Sequence, residues 1–535
     1  MTFIFAILIL MPDDYNSFWR SARYAMTFRA NRAFTGFDYF NPITEEKPLL
    51  HLWSLAIEEQ FYFIWPLAFF LGYKVFKRTP SPFIGLFWLA IIGIIISTIL
   101  AEMSGRVEPN DSYYLLQNRA SELLVGCALA LNPYPVNAVI KKYLGIVGAI
   151  VAVLCFIFLN RSYLIPGIAT LIPTIAAALF ILDDRTDSAY KRLFTNQFAR
   201  TIGLWSFSLY LWHWPILAFM RYLNNGVELS LIWLAVAALL TLILSTLSYY
   251  LIENPVRKLR FKFLVSLVLI YLLPFGLLTS FNMLVNRTDD SVTQEQLRWF
   301  DQDGDGCWER IGDGCSIGDL NSQEHYLLIG DSHAMHLSSM MDIVGKKEGI
   351  KIDIIGSSSC PILFSYSSKK ETRENCLMIN DYLAKNWHQY DAIIFSQLFY
   401  GHMYRLKEDT NQHYLADFVE TIRTIAAEKP VIVISDIPEF DYNPLRVNWF
   451  SQQPILKEMI HRRAPLFNNE TANAAIQAAL SQIPNTRYVD ITPYVNELLN
   501  EGDLIYRDQN HLNPYGSRKI GNMFIKEQTL KVSDH

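Results

Sequence analysis

Long apolar stretches in the first half of the chain constrain its fold more than any other feature. An α-helix needs about 20 mostly apolar residues to cross the hydrocarbon core of a bilayer. Stretches of this kind lie at 52–72, 83–101, 115–131, 143–160, 163–182, 203–223, 229–252 and 263–285. Met1–Met11 is shorter and has no basic start or small-residue cleavage site, so we interpret it as the remainder of a membrane helix and not as a signal peptide. The sequence therefore predicts a polytopic α-helical membrane bundle of about nine helices.

The composition changes after Arg287, where charged residues, Asn and Asp become frequent. This change predicts two parts with different solvent preference. We expect a membrane bundle over 1–257, a final membrane helix and linker over 258–290, and a water-exposed domain over 291–535. The apolar stretches make the lipid bilayer an expected partner. The net charge of -5 provides no broad basic face, so we expect no nucleic acid partner.

The orientation of the bundle follows from Lys and Arg in the short loops, which favour the cytoplasm. If the helices alternate, one side receives Lys74, Lys77 and Arg78, then Lys141 and Lys142, then Arg185, Lys191, Arg192 and Arg200, then Arg257, Lys258, Arg260 and Lys262. With that side inside, the helix at 263–285 leads out of the cell and the polar half lies outside.

The cysteines of the polar half agree with an external location. They are even in number and closely spaced, at Cys307, Cys315, Cys360 and Cys376. Such spacing suits an oxidising compartment, where pairs such as Cys307–Cys315 and Cys360–Cys376 could close short loops. The sequence alone leaves the pairing open.

Polar residues inside the apolar stretches are the first functional candidates. A carboxylate at the centre of a bilayer costs about 2.5–3.5 kcal/mol on insertion scales, so it is retained where it faces a cavity or a partner. His51, Ser54, Glu58 and Glu59 lie at the start of one predicted helix, and helical spacing puts the first three on one face. An interfacial cap, with both carboxylates reaching headgroup water, explains these residues equally well.

Three further polar residues of the bundle allow two interpretations each. Arg119 and Glu122 are three positions apart and could form a local ion pair, which serves structure as readily as chemistry. His213 lies between two tryptophans, and a histidine in an aromatic belt is often an anchor.

The polar half alternates short apolar strands with helical stretches, which predicts a parallel sheet between two helical layers. The strands are expected at His325–Asp331, Lys351–Gly356, Asp391–Ser396, Pro430–Ser435 and Arg487–Thr492. The helices are expected at 333–347, 376–388, 412–428, 468–482 and 512–526. In such sheets ligands bind at the carboxyl ends of the strands.

Two short motifs lie at opposite ends of this α/β unit. Gly-Asp-Ser at 330–332 places Ser332 on a strand-to-helix turn, where its hydroxyl is exposed. Asp508-Gln-Asn-His511 precedes the final helix and supplies both a general base and the carboxylate that orients it. Each motif is common by chance, but their positions favour a serine nucleophile. His333 and His336 have no evident third partner for a metal, so we expect no metal.

The first half resembles the membrane acyltransferase-3 family in four ordered signatures: His51–Pro66, Arg119-Ala-Ser-Glu122, Ser206–Pro215 and Ile252–Arg257. The resemblance implies a bundle that takes an acyl group, usually acetyl from cytoplasmic acetyl-CoA, and passes it to a carbohydrate on the far side. The acyl-transfer path that it implies contains His51, Glu58, Glu59, Arg119, Glu122, His213, Glu253 and Arg257. Family members also have an earlier helix with an Arg pair and a His; nothing here corresponds to it, so we expect the bundle to be N-terminally incomplete.

Residues from about 325 to 530 resemble the SGNH hydrolases. The resemblance implies a three-layer α/β/α domain in which Ser332 is the nucleophile, His511 the general base and Asp508 its orienting carboxylate. The oxyanion donors would be the Ser332 N–H group and Gly356. Ser396-Gln-Leu-Phe lacks the Gly-x-Asn of the hydrolases, so Gln397 is the substitute that the sequence offers.

The fusion of the two halves resembles bacterial O-acetyltransferases of envelope glycans such as lipopolysaccharide or peptidoglycan. We therefore expect a multi-pass protein of the bacterial inner membrane with a periplasmic C-terminal domain, using acetyl-CoA as donor. A membrane-anchored esterase that deacetylates glycans is the alternative, and a non-catalytic membrane carrier is a third.

Overall fold

The described part of the chain begins with a run of helices. The computed structural model describes residues 2–35, 42–107, 109–160, 163–183, 189–224, 229–258, 265, 267–284, 292–299, 315–368, 374–405, 413–453, 456 and 469–532. The chain divides into two units, Met1–Arg287 and Thr288–His535. The finer boundaries expected at 257 and 290 remain predictions.

In its described residues, the regular secondary structure of the first unit is helical. Its helices are α1 Thr2–Ile9, α2 Pro12–Met26, α3 Ala30–Ala33, α4 Pro42–Glu45, α5 Leu52–Phe76, α6 Pro82–Val107, α7 Pro109–Tyr114, α8 Leu116–Leu131, α9 Ala138–Phe158, α10 Ile168–Leu182, α11 Ala189–Thr195, α12 Gln197–Leu223, α13 Leu231–Ser248, α14 Asn254–Lys258 and α15 Leu273–Leu284. Two π-helical segments, Tyr249–Glu253 and Leu267–Leu272, precede α14 and α15.

Several of these helices suit a bilayer. Among the described residues, Pro82–Val107, Ala138–Phe158 and Leu231–Lys258 are long and apolar enough to cross a membrane, and Ile168–Leu182 is a shorter apolar helix. The prediction of a helical membrane bundle is confirmed. The predicted segment 263–285 lies partly outside the described residues.

The first unit carries apolar side chains on its outside and polar contacts between its helices. Phe156 is 92% exposed and Ile232 is 76% exposed, as expected for side chains that lipid would cover. Between α6 and α8, the Ser97 hydroxyl donates to the Gln117 carbonyl at 2.7 Å and accepts the Ser121 N–H at 2.9 Å. Polar groups that lipid cannot solvate are thus satisfied inside the bundle.

The second unit is built on a six-stranded sheet. Its strands are β1 Ser316–Gly318, β2 His325–Gly330, β3 Lys351–Gly356, β4 Ala392–Ser396, β5 Val431–Ile434 and β6 Thr486–Val489, in the order β1-β3-β2-β4-β5-β6. All neighbours are parallel except β1 and β3. Its helices are α16 Gln294–Leu297, α17 Ser332–Met335, α18 Ser338–Glu348, α19 Glu374–Asn386, α20 Tyr414–Ala426, α21 Pro444–Ser451, α22 Asn469–Leu480, α23 Thr492–Asn500 and α24 Pro514–Glu527.

Alternate residues of each strand face opposite helical layers. In β2, Leu328 joins a core with α18 and α24, whereas Leu327 and Ile329 join a second core with α19, α20 and α22. Burial on both faces explains why the strands are almost continuously apolar. The predicted three-layer α/β/α architecture is confirmed.

Several elements of the second unit differ from the sequence prediction. The antiparallel edge strand β1 and the helices α16, α21 and α23 were not predicted. The last strand ends at Val489 rather than Thr492, because the Asp490 carboxylate accepts the Thr492 N–H at 2.9 Å and α23 begins there. Strands this short carry too little periodic pattern to be detected from sequence.

One of the two suggested disulfides is present in the structure. Cys360 and Cys376 are joined, with their Cα atoms 5.5 Å apart. Cys315 is buried and has no disulfide partner among the described residues; Cys307 lies outside them, so the suggested Cys307–Cys315 pair stays a prediction. The Cys315 carbonyl accepts the Ile354 N–H at 2.9 Å, which fixes this cysteine beside the sheet with its side chain in the interior.

Candidate active site

Ser332, His511 and Asp508 meet at the carboxyl end of the sheet. His511 Nε2 lies 2.7 Å from Ser332 Oγ, and His511 Nδ1 lies 2.9 Å from the nearer Asp508 oxygen. The serine and the histidine are 179 residues apart in sequence, so only the fold brings them together. A hydroxyl, an imidazole and a carboxylate in this linear order can act as nucleophile, general base and orienting group.

Local backbone contacts hold Asp508 and His511. The Asp508 carboxylate accepts the N–H groups of Asn510 at 3.0 Å and His511 at 2.8 Å. The Arg507 N–H donates to the His511 carbonyl at 2.8 Å, which closes the turn. Directly afterwards, Asn513 caps α24 by accepting the Gly516 N–H at 2.8 Å. The histidine is therefore fixed at the start of a helix before any substrate arrives.

The neighbours of Asp508 favour its ionised form. Burial by itself would raise the pKa of Asp508, but the charge and hydrogen bond of His511, with two backbone N–H groups, lower that pKa from 3.8 to about 2. An ionised Asp508 accepts a hydrogen bond from Nδ1–H of His511. This leaves Nε2 as the nitrogen that can take a proton from Ser332.

Ser332 lies directly after the close approach of two strands. A Cβ atom at Gly330 would lie 1.7 Å from the Ser396 carbonyl oxygen, so no side chain fits where β2 passes β4. Gly356 is similarly confined, because a Cβ atom there would lie 2.7 Å from Met335 Cγ and 2.9 Å from the Asp331 carbonyl oxygen. Both glycines thus bring backbone close to the serine turn.

Asp331, which the sequence did not single out, ties this turn to β4. Its buried carboxylate accepts the N–H groups of His333 at 2.8 Å and Leu398 at 2.9 Å, and it lies 2.9 Å from His402 Nε2. Burial alone would raise the pKa of Asp331, but the hydrogen bond from His402 and the charges of His402 and His333 lower it. No spacing rule connects His402 to this carboxylate, because they lie 71 residues apart.

The role predicted for Gln397 in the oxyanion site stays a prediction. Its carbonyl oxygen accepts the Ile362 N–H at 3.0 Å and the Tyr414 hydroxyl at 3.2 Å. Its amide nitrogen is buried and has no hydrogen-bond partner among the described residues. The structure thus ties Gln397 to the loop after β3 and records no contact between it and Ser332 in the described part of the chain.

His333 and His336 pack against the general base. Their ring centroids lie 5.3 and 6.1 Å from that of His511. Burial lowers the pKa of His336; it would also lower that of His333, but Asp436, whose carboxylate lies 3.3 Å from His333 Nδ1, raises it. The described residues include no group of three or more His, Cys, Asp or Glu side chains that could hold a metal.

In the first unit, two of the predicted residues, His51 and His213, meet at the start of α5. The ring of His51 lies 5.8 Å from that of His213, and Tyr210 lies between them in sequence and contacts both. The Tyr210 hydroxyl bonds to the His51 carbonyl and lies 2.5 Å from Ser54 Oγ. His51 is 3% exposed, whereas the Tyr210 and His213 side chains are partly buried. Tyr210, which the sequence analysis passed over, joins the first and third signatures.

The remaining candidates of the first unit form pairs. Arg119 lies 3.0 Å from Glu122, and its guanidinium also lies 5.2 Å from the Trp53 ring. Arg257 lies 2.8 Å from Glu253, whose other oxygen accepts the Ser208 hydroxyl at 2.6 Å. The second signature thus contacts the first, and the fourth contacts the third.

The two carboxylates at the start of α5 are not drawn into these pairs. Glu58 and Glu59 are partly buried, and neither forms a hydrogen bond or an ion pair with another described residue. Their place in an acyl-transfer path stays a prediction.

Family profiles match both units. Residues 1–250 match the acyltransferase-3 profile, described as "Acyltransferase domain", and residues 300–526 match the profile described as "SGNH domain (fused to AT3 domains)". The chain is an acyltransferase-3 domain fused to an SGNH domain. Both resemblances read from the sequence are confirmed.

Curated relatives match part of this acyltransferase-3–SGNH chain. The peptidoglycan O-acetyltransferase OatA of Listeria monocytogenes is 32% identical over 240 residues, which cover 42% of this chain and 38% of that protein. The O-acetyltransferase OatA of Staphylococcus aureus is 32% identical over 243 residues, with the same two shares of 42% and 38%. The matched part thus spans well under half the length of these relatives.

Solved structures also match, among them a bacterial periplasmic domain. It is the periplasmic domain of the lipopolysaccharide acetyltransferase of Salmonella ser. Paratyphi A, with a TM-score of 0.32 and 16% identity. The match covers 44% of this chain and 97% of that chain.

The lowered pKa of Asp508 predicts a specific loss of stability in acid. Because the pKa is about 2 in the folded SGNH domain against an ordinary 3.8, the ionised carboxylate contributes about 2 kcal/mol above about pH 4, and this is lost as the pH falls towards about 2. We expect the difference in Tm between wild type and Asp508→Asn to shrink across that window and to stay constant near neutral pH. Thermal unfolding of the purified chain measures it. A difference that stays the same down to about pH 2 would contradict this assignment.

Proposed function

We propose that this chain is an O-acyltransferase that moves an acyl group, in the first instance acetyl, from a cytoplasmic acyl-CoA across the membrane to a cell-envelope glycan. The observation that carries the proposal is a serine with its general base at 2.7 Å, in an SGNH domain fused to an acyltransferase-3 domain. The names of the two relatives support it, since both are O-acetyltransferases and one is named for peptidoglycan. The acceptor would be peptidoglycan or lipopolysaccharide.

The first half-reaction forms an ester on Ser332. His511 Nε2 takes the proton of the Ser332 hydroxyl while Oγ attacks the carbonyl carbon of the acyl donor. The tetrahedral oxyanion is stabilised by backbone N–H groups, of which that of Ser332 is one. The carbon–leaving-group bond then breaks, and the proton on His511 passes to the leaving group. Asp508 stabilises the imidazolium that exists between these two proton transfers.

The second half-reaction moves the acyl group to the glycan. A sugar hydroxyl gives its proton to His511 Nε2 and attacks the ester carbon. The bond between that carbon and Ser332 Oγ breaks, and His511 returns the proton to the serine. The product is a sugar ester, and the enzyme is ready for another donor.

The membrane unit would deliver the acyl group. The cluster of His51, Tyr210 and His213 contains the buried imidazole of His51. An ionisable side chain inside a membrane bundle is retained where it faces a cavity or a partner. Arg119 with Glu122 and Arg257 with Glu253 would bind the polar parts of the donor. These roles extend the path expected from the four signatures.

The location follows from two independent features. The basic loops favour a cytoplasmic side opposite to the C-terminal domain, and the Cys360–Cys376 disulfide belongs to an oxidising compartment. We therefore place the chain in the inner membrane of a bacterium, with its SGNH domain in the periplasm.

The role of Ser332 is tested by Ser332→Ala. Without the nucleophile, we expect esterification of the envelope glycan in intact cells to fall to background, and hydrolysis of an aryl acetate by the purified full chain to fall at least about 10³-fold. Acetate released from the glycan by alkali measures esterification, and phenol released from the aryl acetate measures hydrolysis. Ser338→Ala removes a hydroxyl six residues further on and is the matched control. Normal glycan esterification by Ser332→Ala would remove this serine from the mechanism.

The role of the cluster of His51, Tyr210 and His213 is tested by His51→Ala. If the membrane unit delivers the acyl group through this cluster, glycan esterification falls by about 10², as for the loss of a general acid–base group. Aryl acetate hydrolysis at Ser332 stays within about twofold, because it bypasses delivery. Thr246→Ala, on the exposed side of α13, serves as the control. Wild-type glycan esterification by His51→Ala would exclude the cluster from the path.

A further inference from the structure

The segment Val292–Trp299, which precedes β1, is packed onto the SGNH domain. Val292 and Leu297 are 5% and 7% exposed. The Glu295 carboxylate lies 2.6 Å from the Arg518 guanidinium, and the Gln296 amide donates to the Leu504 carbonyl at 3.4 Å. The segment therefore has a fixed position against α24 and the chain that leads to Asp508.

Trp299, at the end of this segment, lies beside the general base. The centroids of the Trp299 and His511 rings are 5.8 Å apart at an interplanar angle of 64°, an edge-to-face contact. The Arg507 guanidinium lies 5.2 Å from the centroid of the same indole ring. The Trp299 side chain is only partly buried. The Trp299 indole ring thus lies next to the His511 imidazole and also contacts Arg507.

The chemistry of the second half-reaction restricts where the acceptor can lie. The attacking hydroxyl must come within about 3 Å of His511 Nε2, so the ring that carries it lies within one side-chain length of the imidazole. A pyranose ring presents C–H groups on its faces and hydroxyls at its edge. A flat apolar ring beside the base can therefore bind the sugar face and leave a hydroxyl directed at Nε2.

We propose that Trp299 is the acceptor-binding residue, against whose indole ring the pyranose ring of the glycan packs during acyl transfer. This inference rests on the proposed function, since it names the group that binds the substrate of the second half-reaction. In that step the hydroxyl oxygen bonds to the acyl carbon, its proton passes to His511, and Ser332 Oγ leaves and is reprotonated. The indole ring stabilises a bound sugar but not a water molecule, so Trp299 favours attack by the sugar hydroxyl over attack by water.

The test separates acceptor binding from serine reactivity. The full chain with Trp299→Ala, Trp299→Phe or Arg298→Ala is expressed in cells without their own copy, and alkali-labile acetate on the envelope glycan is measured. The same purified proteins are assayed with an aryl acetate, which needs no sugar. Arg298 is the exposed neighbour and provides the matched control.

We expect Trp299→Ala to lower glycan esterification about tenfold, the loss expected for one aromatic contact, and to keep aryl acetate hydrolysis within about twofold. Trp299→Phe retains a ring and should be intermediate, and Arg298→Ala should be unchanged. Unchanged glycan esterification by Trp299→Ala overturns the proposal. A parallel fall in aryl acetate hydrolysis also overturns it, since Trp299 would then only position His511. Failure of the proposed function itself is distinct, because it would appear as normal glycan esterification by Ser332→Ala.

Discussion

The buried carboxylate of Asp331 holds together the part of the SGNH domain on which the candidate site depends. It accepts hydrogen bonds from His333, which follows the serine, from Leu398 after β4, and from His402. A buried charge of this kind is tolerated only when its hydrogen bonds are complete. Because its three partners come from different parts of the chain, the carboxylate fixes the serine turn against β4. At this point Gly330, which has no side chain, allows the two strands to approach closely.

The sequence predicted the features that repeat or that carry rare combinations. Apolar runs of membrane length predicted the bundle, strands of nearly continuous apolar residues predicted the sheet, and the serine and histidine motifs predicted the pair found at 2.7 Å. The contacts of Asp331 with His402 and of His511 with Trp299 were not predictable, because they join residues with no fixed spacing and depend on how loops pack. The burial of Cys315 is of the same kind, since it depends on the unpredicted strand β1.

The same three side chains could serve an esterase or a transferase, because both use an acyl-serine and differ only in whether water or a sugar attacks it. What distinguishes the two is therefore outside the triad: a supply of acyl groups from the membrane unit and a surface that favours the sugar. We assign these two tasks to the cluster of His51, Tyr210 and His213 and to the indole of Trp299.

The direction of acyl flow is the central claim, and the ester content of the envelope glycan tests it most directly. Isogenic cells with and without this chain are compared for acetate released from purified glycan by mild alkali. Our account predicts more ester when the chain is present, because it adds acyl groups. Less ester in the presence of the chain would contradict the account and identify a deacetylating esterase.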